Sequence, residues 1–140
     1  MRTVGLCRFS YAGEGGFKVG HPDFAALETF LYGKDRMEER FRLFETITLP
    51  SVAGQTAPDF TFLIVTGTGF PTPYLERLLD LTKDIPQCVV KQYLPRPHRR
   101  IMSKAIKDWR GGTDEPCLQF RLDDDDAMAL SFVEKFKQTA

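Results

Sequence analysis

The sequence predicts an α/β fold in which a mainly parallel sheet is flanked by helices. Three observations carry that expectation. Apolar, β-rich runs alternate with stretches whose apolar residues recur at helical spacing. The alternation repeats along the whole chain, and such spacing builds right-handed βαβ units around a parallel sheet. The last apolar run, residues 117–122, opens directly into four consecutive carboxylates, Asp123, Asp124, Asp125 and Asp126.

The elements follow in order. Residues 4–11 form an apolar run holding Cys7 and Phe9, and read as the first strand. Gly13, Gly15 and Gly16 come next; with no GKS, GKT or GxGxxG pattern they read as a surface loop, not a phosphate cradle. Phe24, Leu27, Phe30 and Leu31 fit a short helical face between Pro22 and Gly33. Asp35 with Glu38 is a capping-box pair. Met37, Phe41, Phe44 and Ile47 continue at helical spacing, leaving Glu38, Glu39, Arg40, Arg42 and Glu45 on the wet side. Pro50 should end or kink this helix. Residues 60–66 are continuously β-rich, as in a central parallel strand. Thr72 and Pro73 then begin a helix as cap and first residue. Its inner face is Leu75, Leu78, Leu79, Thr82 and Ile85, and Pro86 stops it. Residues 88–94 are the third strand and 95–100 a stiff basic loop. Ile101, Met102, Ala105, Ile106 and Trp109 make the next helical face, closed by Gly111 and Gly112. After the fourth strand, Ser131 with Glu134 caps a last helix bearing Phe132, Val133 and Phe136.

Composition bounds the function. At 140 residues the chain is one domain with a real core. Net charge zero argues against a general nucleic-acid or acidic-membrane binder. No apolar run approaches a membrane span, and the N-terminus lacks the long apolar stretch of a signal peptide. Cys7, Cys88 and Cys117 are odd in number and far apart. They read as reduced buried thiols in a cytoplasmic protein, not as disulfides or zinc ligands.

In parallel sheets ligands gather at the carboxyl ends of the strands. That rule brings residues 9–11, 66–68, 93–100 and the aspartates to one rim. In extended chain Asp123 and Asp125 point one way, Asp124 and Asp126 the other. Two carboxylates on one face suit a hard divalent ion, Mg2+ or Mn2+. The plainer reading is a solvated acidic turn capping the following helix. A basic loop beside an acidic cluster suits a phosphorylated ligand bridged by a metal, with Arg96, Arg99 and Arg100 gripping phosphate oxygens. The alternative for those arginines is an exposed charged turn. Tyr11 and Tyr93 either stack on a nucleobase or pack at the rim. His98 reads as a loop histidine, and Met102 and Trp109 as core.

Strand-Asp-x-Asp after several βα units resembles the nucleotide-sugar-binding half of a GT-A glycosyltransferase. The likeness extends through Arg8-Phe9-Ser10, Glu39-Arg40-Phe41, Leu43-Phe44-Glu45, Leu49-Pro50-Ser51, Gln55-Thr56, Asp59-Phe60 and Arg121-Leu122-Asp123-Asp124-Asp125-Asp126-Ala127. These stretches resemble the bacterial "putative rhamnosyl transferase" family over nearly the whole chain. The resemblance implies a Rossmann-like GT-A half-domain: residues 1–140 as a single nucleotide-sugar-binding domain, the N-terminal half of a longer glycosyltransferase. It implies a nucleotide-diphosphate sugar donor, Mn2+ or Mg2+ as cofactor, and transfer to an acceptor hydroxyl of a saccharide or glycan. Asp125, with Asp123, would coordinate the metal. Asp123 or Asp124 would contact the donor ribose or base, a register open by one residue. Phe9 and Ser10 would line the base pocket, and Lys104 would serve as a basic donor contact.

A glycosyltransferase also needs an acceptor site, and an inverting one needs a base. In GT-A enzymes these usually follow the Asp-x-Asp motif, and here only residues 127–140 do. No catalytic base is assigned, and a non-catalytic nucleotide-sugar-binding or interaction module is the alternative. The resemblance implies a sheet ordered 3-2-1-4, which would leave the fourth strand an open edge with an exposed apolar patch, and a homo-oligomer is expected through that strand or the last helix.

Overall fold

The computed structural model describes residues 1–13 and 23–140. Four parallel strands, β1 (Thr3–Arg8), β2 (Thr61–Gly67), β3 (Cys88–Tyr93) and β4 (Leu118–Arg121), lie in the order β3-β2-β1-β4. Between them run α1 (Phe24–Leu31), α2 (Lys34–Leu43), a π-helical stretch (Phe44–Thr48), α3 (Leu49–Ala53), α4 (Thr72–Thr82) and α5 (His98–Arg110), and α6 (Phe132–Gln138) follows β4. The chain is thus α/β, with a wholly parallel sheet flanked by helices, as the alternation predicts. Gly15, Gly16 and Pro22 lie outside the described residues.

The two central strands, β1 and β2, are buried on both faces, which is why they read as continuous apolar runs. Register places Val4 beside Thr61 and Cys7 beside Ile64. Cys7, Phe9, Phe62 and Ile64 face one core, under α2, α4 and α6. Val4, Leu6, Leu63 and Val65 face the other, under Ile101, Met102 and Ala105 of α5. Phe9 is wholly buried, its ring 5.0 Å from that of Phe41 and 4.9 Å from that of Phe44. Fully burying each such side chain stabilises the fold by about 2–3 kcal/mol.

Several local expectations change. β1 stops at Arg8 because Ser10 takes a left-handed backbone, φ 46°, although Phe9 N–H still reaches Val65 O. Gly33, not Asp35, precedes α2, and no side chain caps it, so the Asp35–Glu38 box does not form. Glu38 pairs instead with Arg77 of α4, at 3.0 Å. The helix does not end at Pro50. Leu49 N–H bonds to Phe44 O, five residues back, and the widened turn carries the helix past the proline to Ala53. Met37, Phe41, Phe44 and Thr48 are the buried face. Ile47 falls a step short of it and is 39 % exposed. Leu79 is likewise on the outside of α4. Pro71 precedes α4, one residue earlier than expected. Ser131 does not cap α6 through its side chain, and Glu134 instead accepts from the Thr56 hydroxyl at 3.0 Å.

The stiff basic loop is shorter than expected. Pro97 sits at the cap of α5, and Arg100 and Ile101 donate their N–H groups to its carbonyl, at 2.9 and 3.2 Å. His98, Arg99 and Arg100 are therefore the first turn of a helix. Gly111 ends α5 in the left-handed conformation that favours glycine, φ 68°.

β4 is an edge strand, but its outer side chains are not an apolar patch. Gln119 and Arg121 are exposed on the α5 face. Phe120 turns to the opposite face, among Phe60, Phe132 and Phe136. Alternation along the strand has put its aromatic residue under α6. The three cysteines are free; Cys7 is buried, while Cys88 and Cys117 are only partly so. Among the described residues no helix is long and apolar enough to cross a membrane.

Candidate functional site

The carboxyl ends of the strands form one rim, and the aspartates lie at its β4 end. Strand alternation does not survive beyond Asp124. Asp126 N–H turns back to Asp123 O at 3.2 Å, and this turn swings Asp126 round to its neighbours. One carboxylate oxygen from each of Asp123, Asp125 and Asp126 then lies within 4.8 Å of the other two, and all three residues are exposed. Asp124 points inward and is 8 % exposed. Burial raises its pKa, the Arg40 guanidinium opposes that rise, and the Asp125 charge adds to it.

The cations nearest these acids come from α2. Arg40 Nη1 lies 3.2 Å from Asp124 Oδ1 and 3.3 Å from Asp125 Oδ2. One turn earlier, Arg36 donates to Ser10 Oγ at 2.9 Å and to Leu31 O at 2.8 Å. Burial lowers the Arg36 pKa, and the neighbouring Arg40 charge lowers it further. Ser10 thus combines a backbone conformation rare outside glycine with a hydrogen bond that holds it there. Arg36 and Arg40 are the residues that sequence reasoning missed. Both carry charge on a helix face that amphipathicity assigns to water.

On the other face of the rim, Arg8 Nη1 donates to His98 Nδ1 at 2.6 Å, which leaves the ring proton on Nε2. Burial and the Arg8 charge push the His98 pKa down to about 4, so the ring is neutral at pH 7. Tyr11 is core: it donates its hydroxyl to Leu94 O at 2.7 Å and accepts from Arg96 N–H at 3.0 Å. It thereby fixes the turn that leads into α5. Arg99 and Arg100 are exposed on the first turn of α5, and among the described residues neither forms an ion pair. Lys104 lies one turn further along, bonded to Asp108 at 3.3 Å. Asp108 also accepts from Tyr93 Oη at 3.0 Å. Burial and that bond push the Tyr93 pKa up to about 12.

Between the aspartates and the β3 edge, a cleft of about 270 Å³ opens over the ends of β1, β2 and β3. Ala12, Glu28, Tyr32, Gly67, Thr68 and Pro95 are among its walls. Among the described residues the buried Tyr32 hydroxyl has no hydrogen-bond partner. Burial, with the Glu28 charge adding, pushes its pKa up to about 12.

The structure brings Asp123, Asp125, Asp126 and Arg40 together, and Ser10 together with Arg36. Phe9 contributes its backbone to the rim, but its ring belongs to the core. Lys104 is engaged with Asp108. The donor set of the acidic turn is chemically apt for a hard divalent ion: three exposed carboxylate oxygens, close enough to share one cation after small side-chain rotations.

No curated protein and no solved structure matches the chain. A family model described as "Putative rhamnosyl transferase" matches residues 2–140, nearly the full length. The resemblance carried by the rim, from Arg8-Phe9-Ser10 through Arg40 to the acidic turn, is thereby supported over the whole sequence. This chain belongs to the family of sugar transferases that the description names.

Proposed function

We propose that the rim binds a nucleotide-diphosphate sugar through a divalent ion, Mn2+ or Mg2+, for transfer of the sugar to an acceptor hydroxyl. The observation that carries this reading is the convergence of Asp123, Asp125 and Asp126 beside the Arg40 guanidinium. Asp123 and Asp125 would hold the ion, with Asp126, brought alongside by the turn, as a third ligand. When bound, the ion supplies positive charge to the departing diphosphate. The chain's own residues do the rest. The cleft over β1 to β3 takes the nucleoside, with Glu28 and Thr68 offering oxygen acceptors on its wall. Ser10, held by Arg36, sets the floor between nucleoside and phosphates. Arg99 and Arg100, on the first turn of α5, add charge for the phosphates, where helix N–H groups also favour anions. Asp124, buried against Arg40, positions that guanidinium instead of reaching the donor.

Calorimetry with UDP, dTDP and GDP, each with and without Mn2+, tests the binding. One nucleoside diphosphate should bind in the presence of the ion and lose about tenfold or more in affinity without it. Asp125→Ala should abolish the Mn2+ dependence. If Asp125→Ala binds as well as the parent, the metal assignment is wrong. Release of sugar or nucleoside diphosphate from the donor then separates an enzyme from a binding module.

A further inference from the structure

Arg40 stands where two ligands would have to arrive. Its Nη1 contacts two carboxylates of unlike setting: Asp124, whose side chain is 11 % exposed, and Asp125, whose side chain is 40 % exposed. Asp125 is also a member of the converging triad. Among the described residues, no protein acceptor takes the remaining N–H groups of this guanidinium. Arg36 is anchored away from the acidic turn, its Nη1 donating to Ser10 Oγ and Leu31 O.

We propose that Arg40 is a counter-ion that changes partner during donor binding. In the donor-free protein it neutralises Asp125. When the ion arrives it releases Asp125, stays tethered to buried Asp124, and turns its free N–H fork to the donor diphosphate. Guanidinium geometry suits that second role, because it offers paired donors to phosphate oxygens. The consequence is positive coupling. The ion alone must displace a cation, and the diphosphate alone meets an acidic turn. Each ligand removes the obstacle to the other, and the coupling is reciprocal by linkage. The proposal rests on the metal reading above and adds to it a residue, an order of events and a sign.

The test measures Mn2+ binding without nucleotide, by paramagnetic resonance of the free ion. It also measures calorimetric affinity for whichever of UDP, dTDP and GDP binds the parent, with and without Mn2+. Four proteins are compared: parent, Arg40→Gln, Arg40→Lys and Asp125→Asn, each checked for fold by circular dichroism. Arg40→Gln should bind Mn2+ alone about tenfold more tightly, since a repelling charge a few ångströms away is gone. The same variant should bind the diphosphate in saturating Mn2+ about tenfold more weakly, so that the coupling collapses. Arg40→Lys, which keeps the charge and loses the fork, should bind Mn2+ alone like the parent and still lose diphosphate affinity. It carries the test if Arg40→Gln does not fold. If Arg40→Gln binds Mn2+ alone no better than the parent while Asp125→Asn abolishes Mn2+ binding, the metal site stands and the exchange of partners is refuted. If Mn2+ binds none of the proteins, the metal reading fails, and this proposal with it.

Discussion

A single methyl group tests how β4, and with it the acidic turn, is seated on the sheet. Gly5 lies in the middle of β1, in register with Phe120 of β4. A Cβ at Gly5 would sit 2.5 Å from Phe120 Cε2 and 3.0 Å from Cε1, well inside contact distance. The distal end of the ring fills the space that a side chain would take. In Gly5→Ala the ring must swing away, and it leaves Phe132 and Phe136, whose centroids are 5.2 and 6.1 Å from its own. Overpacking costs about 1–3 kcal/mol. Alanine recovers about 0.5–1 kcal/mol of the backbone entropy that glycine loses in a strand. The net expectation is a loss of about 1–2 kcal/mol, or a Tm lower by roughly 3–7 °C in a chain of this size. Urea and thermal unfolding followed by circular dichroism measure it. In a Phe120→Ala background the same substitution should cost little or become stabilising, so the double-mutant cycle isolates the contact. A Gly5→Ala protein as stable as the parent would refute the account of how β4 packs.

Three further outcomes follow from other parts of the molecule. Burial and Arg8 hold the His98 pKa at about 4 against an ordinary 6.5. The unfolded chain takes up this proton as pH falls through 6.5 and the folded chain does not until about 4, so this contribution is complete above 6.5 and is lost across that window. Solvent screening of a partly exposed ring leaves about 1 kcal/mol of the effect. Urea midpoints at pH 7 and pH 5 should therefore differ more in the parent than in His98→Gln, and equal differences would refute the assignment. Arg99→Ala or Arg100→Ala should weaken the nucleoside diphosphate by several-fold and leave the free nucleoside unchanged; equal losses would remove their phosphate role. Leu118 and Leu122 donate their N–H groups inward to β1, so those of Gln119 and Arg121 face out along the edge. If that edge pairs with a second copy, light scattering should show concentration-dependent association that Gln119→Pro abolishes; a monomer at every concentration would show the edge is unused.

The strands and most helices were legible because burial on two faces leaves a plain mark. The run through Phe62, Leu63, Ile64 and Val65 has no other good reading. The same logic located Ile101, Met102 and Ala105 on the inner side of α5. It failed where local pattern and tertiary position part. Arg40 reads as a solvent-facing residue of α2, and nothing nearby in sequence says that this face lies against a turn 84 residues away. Ser10 carries no mark of a positive φ, since the conformation is imposed by its surroundings and secured by Arg36. The acidic run announced a cluster, but alternation paired Asp123 with Asp125 alone. The turn that adds Asp126 and buries Asp124 depends on hydrogen bonds that periodicity does not encode. At residues 95–100 two prolines suggested a loop, while Pro97 in fact begins the helix.

The unequal burial of the three thiols gives the molecule a built-in set of chemical clocks. Cys7 has no exposed surface, and burial followed by the charges of Asp124 and Asp123 raises its pKa well above the usual thiol range. Cys88, at the start of β3, is pushed up to about 12 by burial. Cys117 lies just before the open edge strand and is only partly covered. Alkylation needs both solvent contact and the thiolate. Cys117 therefore reports fraying of the β4 margin, Cys88 opening of the opposite margin, and Cys7 the loss of the sheet centre. A labelling time course, read peptide by peptide, would date each of these events in one sample without introducing a single foreign probe.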